Sequence, residues 1–223
     1  MTTSGSAPAI DVAPTQRITD SVFTGLREAV LDGRIAPGSK LSVPALAQQL
    51  NVSRSPVREA VARLIADGLA VESPRRGAVV ATITPADLAE LYEVRGSLEG
   101  VVARLAVERA GSELADALET VLAEHRDALD RQDAAAIERC DAAFHRLLRQ
   151  ASRHAYAIRL LDQIQSQVRL AMRTTMATAG PERALADHRA ITTAMRLGDA
   201  ELAERRARDH VTRLRDALRE PTG

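Results

Sequence analysis

The sequence changes its pattern at Thr84-Pro85, and this change constrains the fold more than any other feature. Before it, short helical segments lead to two β-prone pieces, whereas after it the helical spacing of apolar residues continues almost without interruption. A threonine followed by proline is a common helix start, because the threonine caps free backbone N–H groups and proline suits the first turn. We therefore predict a mostly α-helical protein with two domains, over residues 15–82 and 83–223.

The first domain carries the pattern of a winged helix–turn–helix. Apolar residues recur at helical spacing in three stretches, and only the turn Asn51-Val52-Ser53 separates the second stretch from the third. Two β-prone pieces then flank Ser73-Pro74-Arg75-Arg76-Gly77, whose composition is that of a hairpin tip. Residues 1–14 show little periodicity and are expected to be a disordered lead-in. The expected elements are helices over residues 18–31, 43–50 and 54–67 and strands over 69–72 and 78–81.

The second domain is predicted to be an antiparallel bundle of about six helices. Short groups of helix-breaking or polar residues interrupt its pattern at intervals that leave helices of ordinary length. Short connections of this kind favour neighbouring helices that run antiparallel. The expected breaks lie at Gly111-Ser112, Arg131-Gln132-Asp133, Arg153-His154, Ala179-Gly180-Pro181 and Gly198-Asp199.

Composition limits the functions that such a chain can perform. Hydrophobic residues make up 45% of the chain and charged residues 27%, as in globular proteins rather than disordered or fibrous ones. Thirty Lys and Arg residues balance thirty Asp and Glu residues, so a polyanion must be bound by a local patch rather than by net charge. Aromatic residues are only 2%, which argues against base-stacking surfaces for single strands. A nucleic-acid partner is therefore expected to be a duplex.

The expected location of the protein is the cytoplasm. Cys140 is the only cysteine, so the chain cannot form an internal disulfide, and no charged and apolar leader opens the sequence. The apolar runs are shorter than the ~18 residues that a membrane-spanning helix requires. We therefore expect a reducing environment and no membrane partner.

Arg54 and Arg58 are the strongest candidates for contacts with DNA. They lie four residues apart on one face of the expected third helix, while apolar residues such as Val57 lie on the opposite face. Arginine can donate two hydrogen bonds to guanine, and Ser53 and Ser55 can bond phosphate or sugar from the helix start. The alternative is a solvated arginine face on a small structural domain, since helix pairs of this kind are common.

The hairpin tip supplies a second set of candidates for contacts with DNA. Arg75 and Arg76 are basic, and Gly77 permits close approach of the backbone. A flexible basic wing of this kind can follow the groove next to the one that the third helix enters.

Four polar residues interrupt the apolar stripes of the second domain. Asp141, His145, His188 and His210 lie at helical spacing with apolar residues and are therefore predicted to point inward. A buried carboxylate and three buried imidazoles are costly unless they have partners, and one divalent metal ion satisfies all four. Zinc suits this ligand set best, with nickel or manganese as alternatives.

The spacing of these residues supports a shared site. Asp141 and His145 are four residues apart, so their side chains project about 40° apart around the helix. His188 and His210 lie ~15 and ~18 Å from the Gly198 turn along an antiparallel helix pair, and so at about the same level. The alternative is that each histidine is an isolated core residue that bonds a backbone carbonyl or responds to pH.

Three further residues of these types are expected to have other roles. His125 and His154 are expected at the surface or at helix ends. Cys140 is adjacent to Asp141 but turned about 100° away on the helix, so it is expected to be a buried thiol rather than a ligand.

The first domain resembles the N-terminal domain of GntR-family transcription regulators. The resemblance rests on Gly33-Arg34-Ile35-Ala36-Pro37-Gly38, Leu46-Ala47, Val52-Ser53-Arg54-Ser55-Pro56-Val57-Arg58-Glu59-Ala60, Leu64, Asp67-Gly68-Leu69 and Gly77. It implies a homodimer whose recognition helices bind an operator with twofold symmetry. Pro44 departs from the pattern, because many members carry a polar or charged residue there, and this puts one family contact in doubt. The other family contacts correspond to Ser53, Arg54, Ser55, Arg58 and Gly77.

Residues 85–218 resemble the FCD effector-binding domain of FadR-type GntR regulators. In the metal-containing branch, an Asp and three His at the matching places bind a divalent cation, and small organic acids bind beside it. Members that lack this set bind other effectors such as acyl-coenzyme A, and this chain has the full set. The matching residues are Asp87-Leu88-Ala89-Glu90-Leu91-Tyr92-Glu93-Val94-Arg95, Leu98-Glu99, Asp141-Ala142-Ala143-Phe144-His145, Asp187-His188-Arg189-Ala190-Ile191, Gly198-Asp199 and His210.

Arg95 has two interpretations. It shares a stripe with apolar residues of the first bundle helix, so its guanidinium is expected to point into or along the interior, where it needs an anion. Glu99, four residues further on, can supply that anion in a simple ion pair. The place of Arg95 in the FCD pattern implies instead that it binds the carboxylate of the effector through two hydrogen bonds.

These observations predict a cytoplasmic, dimeric transcription regulator, a repressor in most of the family, which binds a double-stranded operator. A small carboxylate effector next to the metal ion is expected to control its affinity for DNA. One alternative is a sensor for which the cation itself is the signal. Another is a metalloenzyme with the same ligands, against which the sequence shows no second inward carboxylate to act as a base.

Overall fold

The computed structural model describes residues 14–110, 113–172 and 180–217 of the chain. Its contacts divide the chain into two compact units between Thr82 and Ile83. Residues 1–13 of the expected lead-in lie outside the described residues, as do the expected breaks at Gly111-Ser112 and Ala179.

The first unit is a helical domain with a two-stranded hairpin, as the sequence predicts. Its elements are α1 (Pro14–Leu31), α2 (Val43–Leu50), α3 (Arg54–Ala66), β1 (Ala70–Ser73) and β2 (Gly77–Val80). α1 begins earlier than expected, at Pro14, a residue type that the first turn of a helix tolerates well. Both strands lie one residue nearer the hairpin tip than expected.

α3 is the centre of the first unit and packs against α1 and α2. Its apolar face is fully buried, since Val57, Ala60 and Leu64 are all 0% exposed. α2 ends at Asn51, whose left-handed backbone (φ 54°, ψ 46°) turns the chain sharply toward α3. The expected tight turn therefore forms, and the outer face of α3 is left to solvent.

β1 and β2 pair antiparallel and form a short wing, with Ser73 opposite Gly77 at the tip. The backbone N–H of Arg76 donates to the carbonyl of Ser73 (3.1 Å) and closes the turn. Arg75 and Gly77 both have left-handed backbone, with φ of 63° and 75°. Glycine adopts this conformation without cost, whereas arginine adopts it rarely.

The described part of the second unit contains six helices, which confirms the predicted bundle. They are α4 (Pro85–Ala110), α5 (Glu113–Asp130), α6 (Ala134–Ser152), α7 (Ala155–Met172), α8 (Pro181–Arg196) and α9 (Ala200–Ala217). α4 packs along α9 and also contacts α6 and α7, while α5 packs against α6 and α8. One cluster of the core joins residues of all six described helices, α4 to α9, and includes the fully buried Phe144.

α4 and α9 approach each other closely at Gly100. A Cβ atom at this position would lie 3.2 Å from the backbone oxygen of Glu204, so a larger residue would push the two helices apart. Because of this approach, the face of α4 that carries Arg95 and Glu99 lies near the helix that carries His210.

Thr84 and Asp87 form a reciprocal cap at the start of α4. The backbone N–H and the hydroxyl of Thr84 both donate to Oδ2 of Asp87 (2.8 and 2.7 Å). The backbone N–H of Asp87 donates in return to the Thr84 hydroxyl (3.2 Å). The hydrogen bonds from Thr84 lower the pKa of Asp87. This helix start is therefore a capping box with aspartate in place of the usual glutamate.

We expect Thr84→Ala to lower the free energy of unfolding by about 1 kcal/mol, because loss of an N-cap side chain costs roughly that much. Chemical denaturation followed by circular dichroism measures the effect. Thr120→Ala is the matched control, since Thr120 is exposed inside α5 and its hydroxyl donates to the carbonyl of Asp116 (3.1 Å). Alanine there should be neutral or slightly stabilising. Equal losses from the two substitutions would contradict the role of the cap.

Candidate functional site

The outer face of α3 presents two arginines without partners. Arg54 and Arg58 are exposed, and neither forms a hydrogen bond or ion pair within the part of the chain that the structure describes. Arg63 on the same helix differs, because its Nη1 lies 2.6 Å from Oδ1 of Asp20 and its guanidinium carbon lies 3.9 Å from the ring centre of Phe23. The guanidinium groups of Arg54 and Arg58 are therefore available to a partner outside the chain.

The two serines at the start of α3 differ in their availability. Ser53 occupies the N-cap position and is exposed, and its side chain forms no capping hydrogen bond. The hydroxyl of Ser55 donates to Oε1 of Glu59 (3.3 Å). The Ser53 hydroxyl can thus donate directly to an acceptor outside the chain. The Ser55 hydroxyl must first break its hydrogen bond to Glu59.

The wing places its basic residues at the exposed tip. Arg75 is exposed and has no polar partner among the described residues, whereas Nη2 of Arg76 donates to the carbonyl of Gly38 (3.3 Å). A Cβ atom at Gly77 would meet no atom within 4 Å, so steric crowding by the rest of the chain does not require glycine here. The positive φ angle of the backbone does favour it. Close approach to DNA at Gly77 stays a prediction.

Three buried histidines from three helices converge in the second unit. His145 on α6, His188 on α8 and His210 on α9 offer ligand atoms that all lie within 4.8 Å of one another. The ring centre of His188 lies 5.1 Å from that of His145 and 4.9 Å from that of His210. His188 and His210 therefore lie side by side across the α8–α9 pair.

The ring nitrogens of His145 and His188 have no hydrogen-bond partner among the described residues. Isolated core histidines would be expected to bond to backbone carbonyls, so these two do not fit that alternative. Burial, followed by the neighbouring histidines, holds the pKa of His188 well below its usual value, and burial also lowers the pKa of His210. The lowered pKa values of His188 and His210 favour the neutral imidazole, which is the form that binds a metal ion.

Asp187 orients His210. Oδ2 of Asp187 lies 3.2 Å from Nδ1 of His210, and Arg213 donates to both oxygens of the same carboxylate (3.0 and 2.6 Å). Burial by itself raises the pKa of Asp187, but the hydrogen bonds from His210 and Arg213 outweigh it and lower the pKa. A carboxylate that holds one ring nitrogen leaves the other for a metal. Helical spacing does not predict this role, because Asp187 and His210 lie on different helices.

Asp141 departs from the expectation of a buried carboxylate. Its side chain is 42% exposed, and its Oδ1 lies 3.7 Å from Nε2 of His188. It therefore lies beside the three histidines but outside their closest grouping. The physical reason is that this side of α6 faces an open cavity rather than packed side chains.

Glu99 is the buried centre of a charge network beside the histidines. Its Oε1 accepts a hydrogen bond from Nη2 of Arg149 (2.8 Å) and lies 3.6 Å from Nδ1 of His145 and 3.7 Å from Nε of Arg95. Burial by itself raises the pKa of Glu99, but its interactions with His145, Arg149 and Arg95 outweigh burial and hold the pKa well below its usual value. Glu99 and Asp187 are thus two buried carboxylates near the site, contrary to the expectation of none besides Asp141.

The surroundings of Arg95 agree in part with each of its two interpretations, an ion pair with Glu99 and a binding site for a carboxylate. It is 5% exposed and lies near Glu99, but the separation of 3.7 Å is longer than a hydrogen bond. Its Nε has no hydrogen-bond partner within the described ranges. Arg95 also lines a cavity of about 370 Å³ together with Asp141, His145, His210 and mostly apolar side chains. This combination of a guanidinium and imidazole nitrogens on one cavity suits a small anion.

The expectation that His125 lies at the surface or at a helix end is wrong. His125 is 1% exposed and lines the same cavity. The signal was present in the sequence, because His125 follows Leu118 and Leu122 at helical spacing on the buried face of α5. His154 does lie at a helix end, where its Nδ1 accepts a backbone N–H at the start of α7 (3.1 Å). Cys140 is buried, as expected.

A winged helix–turn–helix with available arginines, followed by a separate helical domain, defines a DNA-binding transcription regulator. Comparison with known families leads to the same class. Residues 18–80 match the bacterial regulatory proteins of the gntR family, and residues 90–213 match the FCD domain. The chain therefore belongs to the GntR family of transcription regulators and carries an FCD domain.

Relatives of this chain are found in several bacteria. It is 29% identical over 208 residues to the HTH-type transcriptional repressor RspR of Escherichia coli (strain K12). The matched region covers 93% of this chain and 91% of RspR. A GntR crystal structure from Rhodococcus sp. RHA1 is similar, with a TM-score of 0.69 and 25% identity over 92% of this chain and 99% of that one. E. coli McbR/YncC shares the fold, with a TM-score of 0.68 and 22% identity over 94% of this chain and 98% of that one.

Crossing a membrane requires a helix that is both long and apolar, and this requirement applies to each described helix. None of them is both long enough and apolar enough to cross a bilayer.

Proposed function

We propose that this protein is a transcriptional repressor whose affinity for its operator is set by a small organic acid bound beside a divalent metal ion. The main support is the convergence of His145, His188 and His210 beside the cavity that Arg95 lines, together with ring nitrogens of His145 and His188 that lack partners in the described structure. Similarity to the repressor RspR supports repression rather than activation. DNA as the partner makes the cytoplasm the expected site of action.

The side chains of the histidine cluster fit a divalent metal ion. The nitrogen ligands would come from His145, His188 and His210. Asp141 would supply an oxygen ligand, since its Oδ1 lies 3.7 Å from Nε2 of His188. A set of three imidazoles and a carboxylate suits zinc, with nickel or manganese as alternatives. When bound, the ion would supply a Lewis-acidic anchor for the oxygens of an anionic ligand.

Arg95 is positioned to hold the same ligand. A guanidinium can donate two parallel hydrogen bonds to one carboxylate, which fixes both the position and the orientation of the acid. Because Nε of Arg95 has no hydrogen bond among the described residues, a ligand carboxylate would gain this bond without breaking another. Burial of the Arg95 side chain, which is 5% exposed, would strengthen this ion pair relative to one at the surface.

The DNA-binding domain would act as one half of a homodimer. In a dimer, two copies of α3 would present Arg54 and Arg58 to the two halves of an operator with twofold symmetry. An acid that binds one arrangement of the dimer more tightly than another shifts the population toward that arrangement. Release of the operator requires only that the favoured arrangement does not fit the half-site spacing.

The same residues would serve two other functions less well. In a metal sensor, the ion alone would change operator affinity, and the anion-binding position of Arg95 would have no purpose. In a metalloenzyme, a carboxylate or imidazole must act as a base. The buried carboxylates Glu99 and Asp187 are both held by arginines, at 2.8 Å from Arg149 and 2.6 Å from Arg213, which favours an orienting role.

We expect Arg95→Ala to retain the metal ion and operator binding but to lose the response to the acid. The acid would lose its two hydrogen bonds from the guanidinium, so the concentration needed to release the operator should rise at least tenfold. Thermal-shift screening of the metal-loaded protein against small carboxylates identifies a suitable acid, because a ligand of the folded state raises the melting temperature. Fluorescence anisotropy of a labelled operator then measures its release.

Arg104→Ala is the matched control for this experiment. Arg104 lies on the same helix, is more exposed, and pairs with Glu108 (2.8 Å) and Glu204 (3.1 Å) rather than facing the cavity. Its substitution should leave the response to the acid unchanged. If Arg95→Ala still releases the operator at the wild-type acid concentration, Arg95 has only a structural role. If metal alone releases the operator from the wild-type protein, the metal-sensor function is correct instead.

A further inference from the structure

His125 is a deeply buried polar residue that the proposed function does not use. It lies on α5, is 1% exposed and lines the cavity beside the histidine cluster. Neither of its ring nitrogens has a hydrogen-bond partner in the described parts of the chain. Buried polar side chains are almost always hydrogen-bonded in folded proteins, so two unpartnered nitrogens on a side chain that lines a cavity indicate a missing partner.

The position of His125 differs from that of the three metal-binding candidates. Its ring centre lies 6.3 Å from that of His188, whereas the rings of His145, His188 and His210 lie 4.9 to 5.6 Å apart. Its nitrogens are not part of the group of ligand atoms that lie within 4.8 Å of one another. His125 therefore lies beside the cluster, on the wall of the cavity.

Support of the neighbouring His188 ring does not explain His125 either. The two rings are tilted by 54° and are not stacked. Phe144 already supports His188, because their rings stack at 4.0 Å with an angle of 10° between the planes. An apolar side chain at position 125 would fill the same space without two unsatisfied nitrogens.

We propose that His125 is a specificity-determining residue that hydrogen-bonds a hydroxyl group of the acid, on a carbon beyond the one next to the carboxylate. The inference rests on the proposed function, which supplies the carboxylate anchor at Arg95 and the histidine cluster. A neutral imidazole carries one donor and one acceptor, and a hydroxyl group also donates and accepts, so the two match in either tautomer. The ligand class is therefore that of hydroxylated carboxylic acids rather than simple fatty or dicarboxylic acids.

The size of the cavity agrees with a ligand that extends past its carboxylate. Its volume of about 370 Å³ lies within the range of about 300–1,000 Å³ that is typical of small-molecule sites. A carboxylate at Arg95 and the histidine cluster would occupy only part of this space. The rest of the acid would pass apolar side chains such as Ile137 and Val168, with His125 as a buried polar group in reach.

Calorimetric titration of the full-length, metal-loaded protein with two acids tests this inference. Gluconate and 2-hydroxyhexanoate share a six-carbon chain, a carboxylate and the adjacent hydroxyl, and only gluconate carries further hydroxyl groups. The wild-type protein is expected to bind gluconate at least tenfold more tightly, an effect of the size of one well-formed hydrogen bond. His125→Leu should weaken gluconate binding about tenfold and change the binding of 2-hydroxyhexanoate less than about twofold.

Two further variants make the result specific to the hydrogen bond. His125→Gln keeps a donor and an acceptor and should restore most of the preference for gluconate. His154→Leu removes a histidine at a helix end rather than in the cavity and should leave both affinities unchanged. Elemental analysis should find wild-type metal content in His125→Leu.

Other outcomes would overturn either the assignment of His125 or the proposed function. A preference for gluconate that persists in His125→Leu, or loss of metal from this variant, overturns the assignment of His125. If His125→Leu does not fold, a wild-type protein that binds the two acids equally overturns it as well. If the metal-loaded wild-type protein binds neither acid nor any other small carboxylate, the proposed function fails too.

Discussion

The double variant Arg54→Ala, Arg58→Ala is expected to lose specific operator binding while it keeps its fold and its oligomeric state. Both arginines are exposed on α3 and have no partner within the described ranges, so their removal costs the folded protein little. On DNA, each arginine that pairs with a guanine contributes about 1–3 kcal/mol of discrimination. Loss of both, about 2 kcal/mol or more, should therefore weaken binding by at least about thirtyfold.

Gel-shift titration at a fixed salt concentration measures this loss, with a duplex that the wild-type protein selects from a random pool. Fixed salt is essential, because contacts with phosphate depend steeply on ionic strength. Arg63→Ala is the matched control on the same helix, since Arg63 is engaged with Asp20 and Phe23 within the domain. It should reduce stability by no more than about 1 kcal/mol and leave operator affinity within a few-fold of the wild type. Operator binding of wild-type strength by the double variant would refute a DNA-reading role for this face.

The second large effect is expected from His188→Ala, which should abolish stable metal binding. His188 is fully buried between His145 and His210, and Asp141 lies 3.7 Å from its Nε2. Loss of such a ligand should reduce metal affinity by more than about 100-fold, since even partners outside the ligand shell contribute 10–100-fold. A reduction of that size removes about 2.7 kcal/mol of stabilisation by the metal.

Elemental analysis of the purified proteins and melting temperatures with and without added zinc measure this effect. The wild-type protein should contain about one divalent ion per chain and should melt at a higher temperature when loaded. The comparison within each variant removes the direct cost of the substitution, and His210→Ala provides a second ligand variant should His188→Ala not fold. His154→Ala is the control and should keep the metal. Unchanged metal content and an unchanged response to zinc in both ligand variants would show that the cluster is not a metal site.

Much of the fold follows from local patterns in the sequence. Helical spacing of apolar residues locates α2 and α3 almost to the residue. The turn at Asn51 is also predictable from the sequence, because the apolar patterns of two short helices end and begin on either side of it. The same spacing places Arg54 and Arg58 on the outer face of α3. These features depend on interactions between residues a few positions apart, which the sequence displays directly.

The inward direction of His145, His188 and His210 is predictable for the same reason, because each interrupts an apolar stripe. Their convergence is also partly predictable, since similar distances from the Gly198 turn bring two residues of an antiparallel pair together. Spacing on one helix does not say which helices become neighbours, however. That choice depends on how the six described helices pack around a core that includes Phe144.

The environment of each polar residue is a product of that packing. Asp141 shares the stripe of His145 yet is 42% exposed, because the cavity opens on its side of α6. Glu99 acquires Arg149 from α6, fifty positions away in the chain, and this partner leaves Arg95 with a buried Nε that lacks a hydrogen bond among the described residues. Periodicity specifies which face of a helix turns inward, whereas a cavity, its open side and the charges around it arise only where several helices meet.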